Sequence, residues 1–274
     1  GAFAVLLAFA SNLFWNRGLS GDFKYRAQLA KSRVTPSIKN GIFVFGLLFI
    51  GFGSFIFYNT NILNEYHRSD YWEKRSADYE KTYKKFKNST QPKITGVSGE
   101  VHLFPQEARL EFSGSYTMKN KTDVVIDTIH SNFNRYVPYS TYKWSRQNEI
   151  IFTDSAYGWD MFVFDPPILP GDEFSLEFAG ERKRTGFSNG GVNRTVVENG
   201  TMIWSGSIFP TFGYDPGREL RDKRTRKKYD LNETQDPMPK FDDVEGNKHG
   251  ILGDDADWVN FEVVISTDPD QIAM

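Results

Sequence analysis

The polarity pattern along this chain changes twice, and each change predicts a different kind of structure. Residues 40–64 carry no charged side chain, and "GIFVFGLLFIGFGSFIFYN" at 41–59 is apolar on every face that a helix would present. Those 19 residues would rise about 28 Å as an α-helix, the thickness of a bilayer's hydrocarbon core. The expected element is a transmembrane helix over 41–61, with a buried core helix as the competing reading. An earlier charge-free run, "AFAVLLAFASNLFW" at 2–15, is too short to span and reads as the end of a truncated transmembrane helix over 1–15. Ala8 and Ala10 make an A-x-A pattern, but the basic start of a signal peptide is missing and a membrane-scale segment follows.

Beyond the apolar run, residues 64–87 contain neither Gly nor Pro and hold i,i+4 charge partners such as Glu80 and Lys84. This predicts a juxtamembrane helix within 62–90. Tyr66, Tyr71, Trp72, Tyr79, Tyr83 and Phe86 fall partly on one stripe, which suits packing on a domain or a lipid surface; a solvated spacer is the alternative. After Pro92 the period becomes two. "VSGEVHLFP", "ARLEFSGSYTMKN", "DVVIDTIHSNF", "EIIFTD", "FSLEFAGERKR", "TMIWSGSIFP" and "WVNFEVVIST" alternate apolar and polar residues between turn formers, and "FDPPILPGDEF" reads as a Pro-rich turn. The expected fold is mainly β, an antiparallel sandwich or saddle over 91–274, preceded by transmembrane α-helices.

Charge adds an orientation. The net charge of -2 is nearly balanced over 274 residues, so only local asymmetries count. Residues 16–40 hold Arg17, Lys24, Arg26, Lys31, Arg33 and Lys39 against the single acid Asp22, which predicts a cytoplasmic loop. Everything after about residue 60 is then extracytoplasmic, with Trp15, Tyr58, Tyr66 and Tyr71 near the boundaries of the cytoplasmic membrane. The absence of cysteine excludes a disulfide framework and thiolate chemistry.

The usual catalytic signatures are missing. None of His67, His102, His130 and His249 begins an HExxH or forms a helical pair, and no nucleophile elbow, P-loop or dinucleotide fingerprint occurs. No catalytic residue and no metal ligand is assigned. "SNGGVN" at 188–193 reads as a loop tip, and the acids Asp242, Asp243, Glu245, Asp254, Asp255 and Asp257 read as solvated loops rather than a calcium site. "RELRDKRTRKK" at 218–228 packs seven basic residues into eleven positions. Interleaved acids and the lack of stacking aromatics make it a charged surface helix, not a nucleic-acid or headgroup site. Asn88, Asn120, Asn193, Asn199 and Asn232 each begin an N-x-S/T sequon.

Three stretches carry a resemblance. "ITGVSGEVHLFPQEARLEFSGSYTMKNKTDVVIDTIHSNFN" at 94–134, "NGTMIWSGSIFPTFGYDPGRELRDKRTRKKYDL" at 199–231 and "WVNFEVVIST" at 258–267 resemble, in order, parts of the N-terminal β-saddle domain of the aminopeptidase N family of zinc metallopeptidases. "FWNRGLSGDFKYRAQLAKSRVTPS" at 14–37 is similar to the last cytoplasmic loop of bacterial ABC transporter permeases fused to such a unit. The resemblance implies that zinc and the catalytic groups belong to a further domain, that this domain and the lipid bilayer are partners, and that an ABC ATPase subunit and a peptide substrate complete the list. It also implies that the turn Ser207, Phe209, Pro210, Phe212 and Tyr214 faces the catalytic domain, with an ordinary packed turn as the alternative.

Two functions follow. The first is an accessory domain of a membrane-anchored zinc aminopeptidase, inactive alone. The second is a non-catalytic extracytoplasmic β-sandwich module that binds a partner within a membrane transport complex.

Overall fold

The computed structural model describes residues 1–15, 22–134, 136–189, 196–197, 200–233, 240–244 and 255–272. Arg17, Glu245, His249, Asp254 and the sequons at Asn193 and Asn199 lie outside the described residues, as does the end of the loop at 188–193. The chain divides into two compact units, residues 1–66 with 186–192 and residues 67–185 with 193–274.

The first unit is helical. α1 (Ala2–Phe14) lies antiparallel to α3 (Pro36–Phe57), with Phe3 against Phe49 and Phe9 against Phe45. Gly41 is needed at the crossing, because a Cβ there would stand 2.6 Å from the Phe9 ring. Thr35 caps α3, accepting from the Ile38 amide, and Pro36 follows where its missing amide costs nothing. The helix continues into a π-helical turn, Tyr58–Leu63, so that the apolar rod from Pro36 to Leu63 is 28 residues long. That is length and apolarity enough to cross a bilayer. It starts five residues earlier than the apolar run, since Pro36 and Thr35 set the boundary.

The basic stretch is not all loop. Asp22 caps α2 (Phe23–Arg33), which carries Lys24, Arg26, Lys31 and Arg33, while Lys39 lies in the first turns of α3. Arg33 donates to the carbonyls of Leu13 and Trp15, satisfying the C-terminal end of α1.

The second unit is a two-layer β-structure with nine strands among its described residues. One sheet has the order β4–β7–β2–β1–β9 and the other β5–β6–β3–β8, where the strands are β1 (Lys93–Phe104), β2 (Arg109–Lys119), β3 (Ile126–Asn132), β4 (Tyr139–Trp144), β5 (Asn148–Asp154), β6 (Trp159–Ile168), β7 (Glu173–Lys183), β8 (Thr211–Phe212) and β9 (Asn260–Ser266). Pairing is antiparallel except where β9 runs parallel to β1. Inward residues of both sheets, among them Val101, Leu110, Phe112, Met118, Ile129, Phe162, Leu176 and Phe178, close one core.

Several elements differ from expectation. "FDPPI" is not a turn but the end of β6; its prolines lie in a bulge between Val163 and Ile168, where no ladder bond is lost. "TMIWSGSIFP" forms no strand: Met202 and Trp204 alternate outward around Ile203, but no strand among the described residues pairs with them, and Ser205–Ser207 is a 3-10 turn. β4 is hidden in the sequence because a bulge between Tyr139 and Thr141 breaks its alternation.

α4 (Ser69–Tyr83) belongs to this second unit. Its Tyr79 and Tyr83 form a second buried cluster with Trp159 and Tyr214, so the C-terminal part of the stripe packs on the β-structure, while Trp72 stays exposed. The basic segment is likewise tied down. Asp222 caps the short α5 (Lys223–Lys228), and Arg226, expected on a surface helix, is fully buried.

Candidate functional site

The segment Ser207–Tyr214 is where the resemblance points. Residues Phe209, Phe212 and Tyr214 are apolar and large, so the chain can satisfy them only by folding inward, and Gly213 turns the backbone at φ 82° between them. Burial of that backbone demands partners for its carbonyls. Four side chains supply them: Asn134 donates to Ser207 O at 3.1 Å, Tyr139 to Ile208 O at 2.7 Å, Tyr116 to Pro210 O at 3.1 Å and Asn132 to Gly213 O at 2.8 Å. The amides are held as well. Phe212 N donates to the Asp255 carboxylate at 2.9 Å, and Asp215 N to the Tyr79 hydroxyl at 3.0 Å.

Burial raises the pKa of Tyr116, Tyr139 and Tyr79, keeping each hydroxyl neutral, the first two as donors to the turn and Tyr79 as acceptor from Asp215 N. Tyr214 is also raised, by burial and by the hydrogen bond it donates to Glu219 at 2.8 Å. The turn is thus held by side chains from β2, β3, β4 and the Tyr79 hydroxyl.

Of the five residues singled out, Phe209, Pro210, Phe212 and Tyr214 are buried within their own unit and Ser207 is half-buried. The side chains the region offers outward are instead Met202 and Trp204, both exposed. A cleft of about 260 Å³ opens beside the turn, walled by Arg75, Asn134, Tyr136, Tyr157, Asp215 and Arg218. The Arg218 guanidinium donates to Asn132 and to Tyr157 O, both at 2.8 Å, and lies 4.0 Å over the Tyr79 ring. It is a structural cation.

The three histidines among the described residues lie apart. His67 stacks on Tyr71. His102 joins β1 to β9 through Ser266. His130 is buried against Phe86 and Trp159, and burial lowers its pKa to about 4. Among the described residues, no three His, Cys, Asp or Glu side chains are grouped so as to hold a metal ion. The zinc that the resemblance implies therefore finds no fit in them. Asp255, expected in a solvated loop, is buried and serves the turn, while Asp257 pairs with Lys121 at 2.5 Å.

The feature that sequence reasoning missed is an overhang. In the register of β1 with β9, Phe261 faces Val97 and Ile265 faces Val101, so both point to the core side of their sheet. Among the described residues the opposing sheet ends at β8, and both side chains stay partly exposed. Phe261 is 59% exposed and Ile265 43%. A two-residue period in "NFEVVIS" announces a strand but not how far the facing layer extends.

No family model matches the chain, and no curated protein matches it. Solved structures similar to part of it include an M1 zinc metallopeptidase from Deinococcus radiodurans, at 14% identity and a TM-score of 0.26 over 34% of this chain and 21% of that one. Native leukotriene A4 hydrolase from Saccharomyces cerevisiae is similar at 11% identity and a TM-score of 0.26, over 34% of this chain and 15% of that one. The chain thus covers about a fifth or less of their lengths, and at that TM-score the likeness carries no argument.

Proposed function

We propose that this chain is a membrane-tethered, non-catalytic β-domain that seats a neighbouring catalytic unit, as an accessory domain of an aminopeptidase N-like zinc metallopeptidase. The observation that carries the reading is the overhang of β9: two core-facing side chains and a free strand edge require a cover that the described residues do not provide. The kind of neighbour is suggested by the residue resemblance at 94–134, 199–231 and 258–267. The rigid turn beside exposed Trp204 would flank the same neighbour. Zinc, when bound there, supplies an activated water; this chain's part is positioning.

The charge asymmetry around Pro36–Leu63 supports an extracytoplasmic placement of the β-domain at the inner membrane. A permease fusion with an ABC ATPase partner is supported by residues 14–37 alone. The test is hydrolysis of alanine 4-nitroanilide by the intact protein in native membranes, abolished by phenanthroline and restored by zinc. Hydrolysis indifferent to chelation, or none, sinks the enzyme reading.

A second reading, a binding module of a transport complex, is favoured by a polar trough of about 720 Å³ across β1, β2 and β9, lined by Thr95, Ser98, Ser115, Thr117, Lys119 and Glu262. Retention of the intact protein on immobilised cell-envelope polymer, lost in Ser115→Trp, would support it; no retention would end it.

A further inference from the structure

The far end of α3 contains an anomaly. Most of the apolar rod is uncovered, yet Asn59 in its π-helical turn is only 4% exposed. What covers it is a loop from far along the chain. Asn64 Nδ2 donates at 3.3 Å to the carbonyl of Phe187, 123 positions away, and at 3.0 Å to Asn59 O. Gly186 lies so close that a Cβ there would stand 2.3 Å from Asn59 Oδ1, and its φ is +68°, so glycine is required twice over. The Phe187 ring meets Phe55 at 5.8 Å between centroids. The π turn widens the helix and presents Asn59 and Asn64 as a seat for this loop.

Phe55 is itself exposed and lies four residues before Asn59, where the apolar run ends, about 6 Å along the axis. A ring held against it reaches the depth at which amphipathic anchors bury their apolar groups, about 5–10 Å into the headgroup and acyl boundary.

We propose that the loop 186–189 is a second lipid contact, with Phe187 inserted into the membrane interface beside α3. The inference rests on the membrane-spanning reading of α3, and the experiment separates the two. The chain has no cysteine, so single labels are clean. Phe187→Cys and, at mid-span, Phe49→Cys are each labelled with an NBD fluorophore, and the full chain is reconstituted into phosphatidylcholine and phosphatidylglycerol vesicles. Lipids carrying a nitroxide near the headgroup or at mid-chain then report depth.

The expected result is blue-shifted emission at both positions, the 187 label quenched most by the shallow nitroxide and the 49 label by the deep one. Gly186→Ala, which unseats the loop, should return the 187 label toward its aqueous emission. If the 187 label emits as in water while the 49 label is quenched by lipid, the anchor is overturned and the span stands. If both emit as in water, the span and the anchor fall together.

Discussion

Arg226 and Glu80, 146 positions apart, meet in a bidentate ion pair with both contacts at 2.9 Å, the arginine 0% and the glutamate 4% exposed. Burial alone would raise the Glu80 pKa, but hydrogen bonds from Arg226 and Lys84 hold it below the usual carboxylate value. The guanidinium also donates to Leu220 O at 2.7 Å and Asn232 O at 2.5 Å. Through this pair α4 and the basic segment are locked to one another.

Removing Arg226 should therefore leave the buried Glu80 carboxylate with Lys84 as its remaining cation and the Leu220 and Asn232 carbonyls without their donor. Arg226→Met is expected to destabilise the β-unit by about 3–5 kcal/mol. Glu80→Leu combined with Arg226→Met should recover most of that loss, since the pair is replaced by apolar bulk. Urea unfolding followed by tryptophan fluorescence measures both; a double variant no more stable than the single would contradict the account.

His130 gives the unit an acid-sensitive term. Its folded pKa of about 4 lies below the ordinary value of 6.5, so the unfolded chain binds more protons between those values. Stability then rises with pH across that window and is lost as pH falls from 6.5 to 4, by roughly 3 kcal/mol in all. In His130→Gln this dependence should vanish. The check is the urea midpoint against pH for the two proteins, and parallel curves would rule the histidine out.

Asn120 begins a sequon but is fully buried: it donates to Val124 O at 2.8 Å and Ile168 O at 3.2 Å and accepts from the Thr122 amide at 3.0 Å. Expressed through a glycosylating secretory pathway, the protein should carry glycans at exposed Asn88 and Asn232 and none at Asn120. Peptide mass mapping decides, and a glycan on Asn120 would disprove the packing of that turn. Asn120→Ala should cost about 3–4 kcal/mol, about one for each of these hydrogen bonds and that from the Thr122 hydroxyl.

On the overhanging strand the effect should be the reverse of a core change. Phe261→Ser is expected to alter the stability of the β-unit by about 0.5 kcal/mol or less, because the side chain is mostly exposed. The same change should weaken docking of a covering partner at least tenfold, the usual weight of a central aromatic. Thermal unfolding and size-exclusion chromatography of the intact protein distinguish this from a loss of several kcal/mol, which would mean Phe261 is already packed.

Legibility in the sequence followed the range of the forces involved. β1, β2, β3, β5, β7 and β9 were readable because their alternation is local, and α3 as a long apolar helix because the 19-residue run is apolar on every face. β6 was hidden by Pro166 and Pro167, whose cost vanishes only because a bulge receives them. "TMIWSGSIFP" has the alternation of a strand, and it is not one for want of a neighbour.

The candidate site divides the same way. That Phe209, Phe212 and Tyr214 would matter could be read from their size and spacing. Their place inside the unit was decided by Tyr116, Tyr139, Asn132 and Asn134, which come from three strands and a loop.

By itself, then, the sequence determined periodicity, and with it a β-unit behind a bilayer-length apolar helix with a basic flank. Tertiary structure alone decided the partners: Arg226 with Glu80, Gly186 with Asn59, and Phe261 left mostly exposed among the described residues. The physical reason is that strand and helix periods arise from backbone geometry within a few residues. Buried charges, close approaches and uncovered faces depend instead on which distant segment arrives, and no local pattern encodes that.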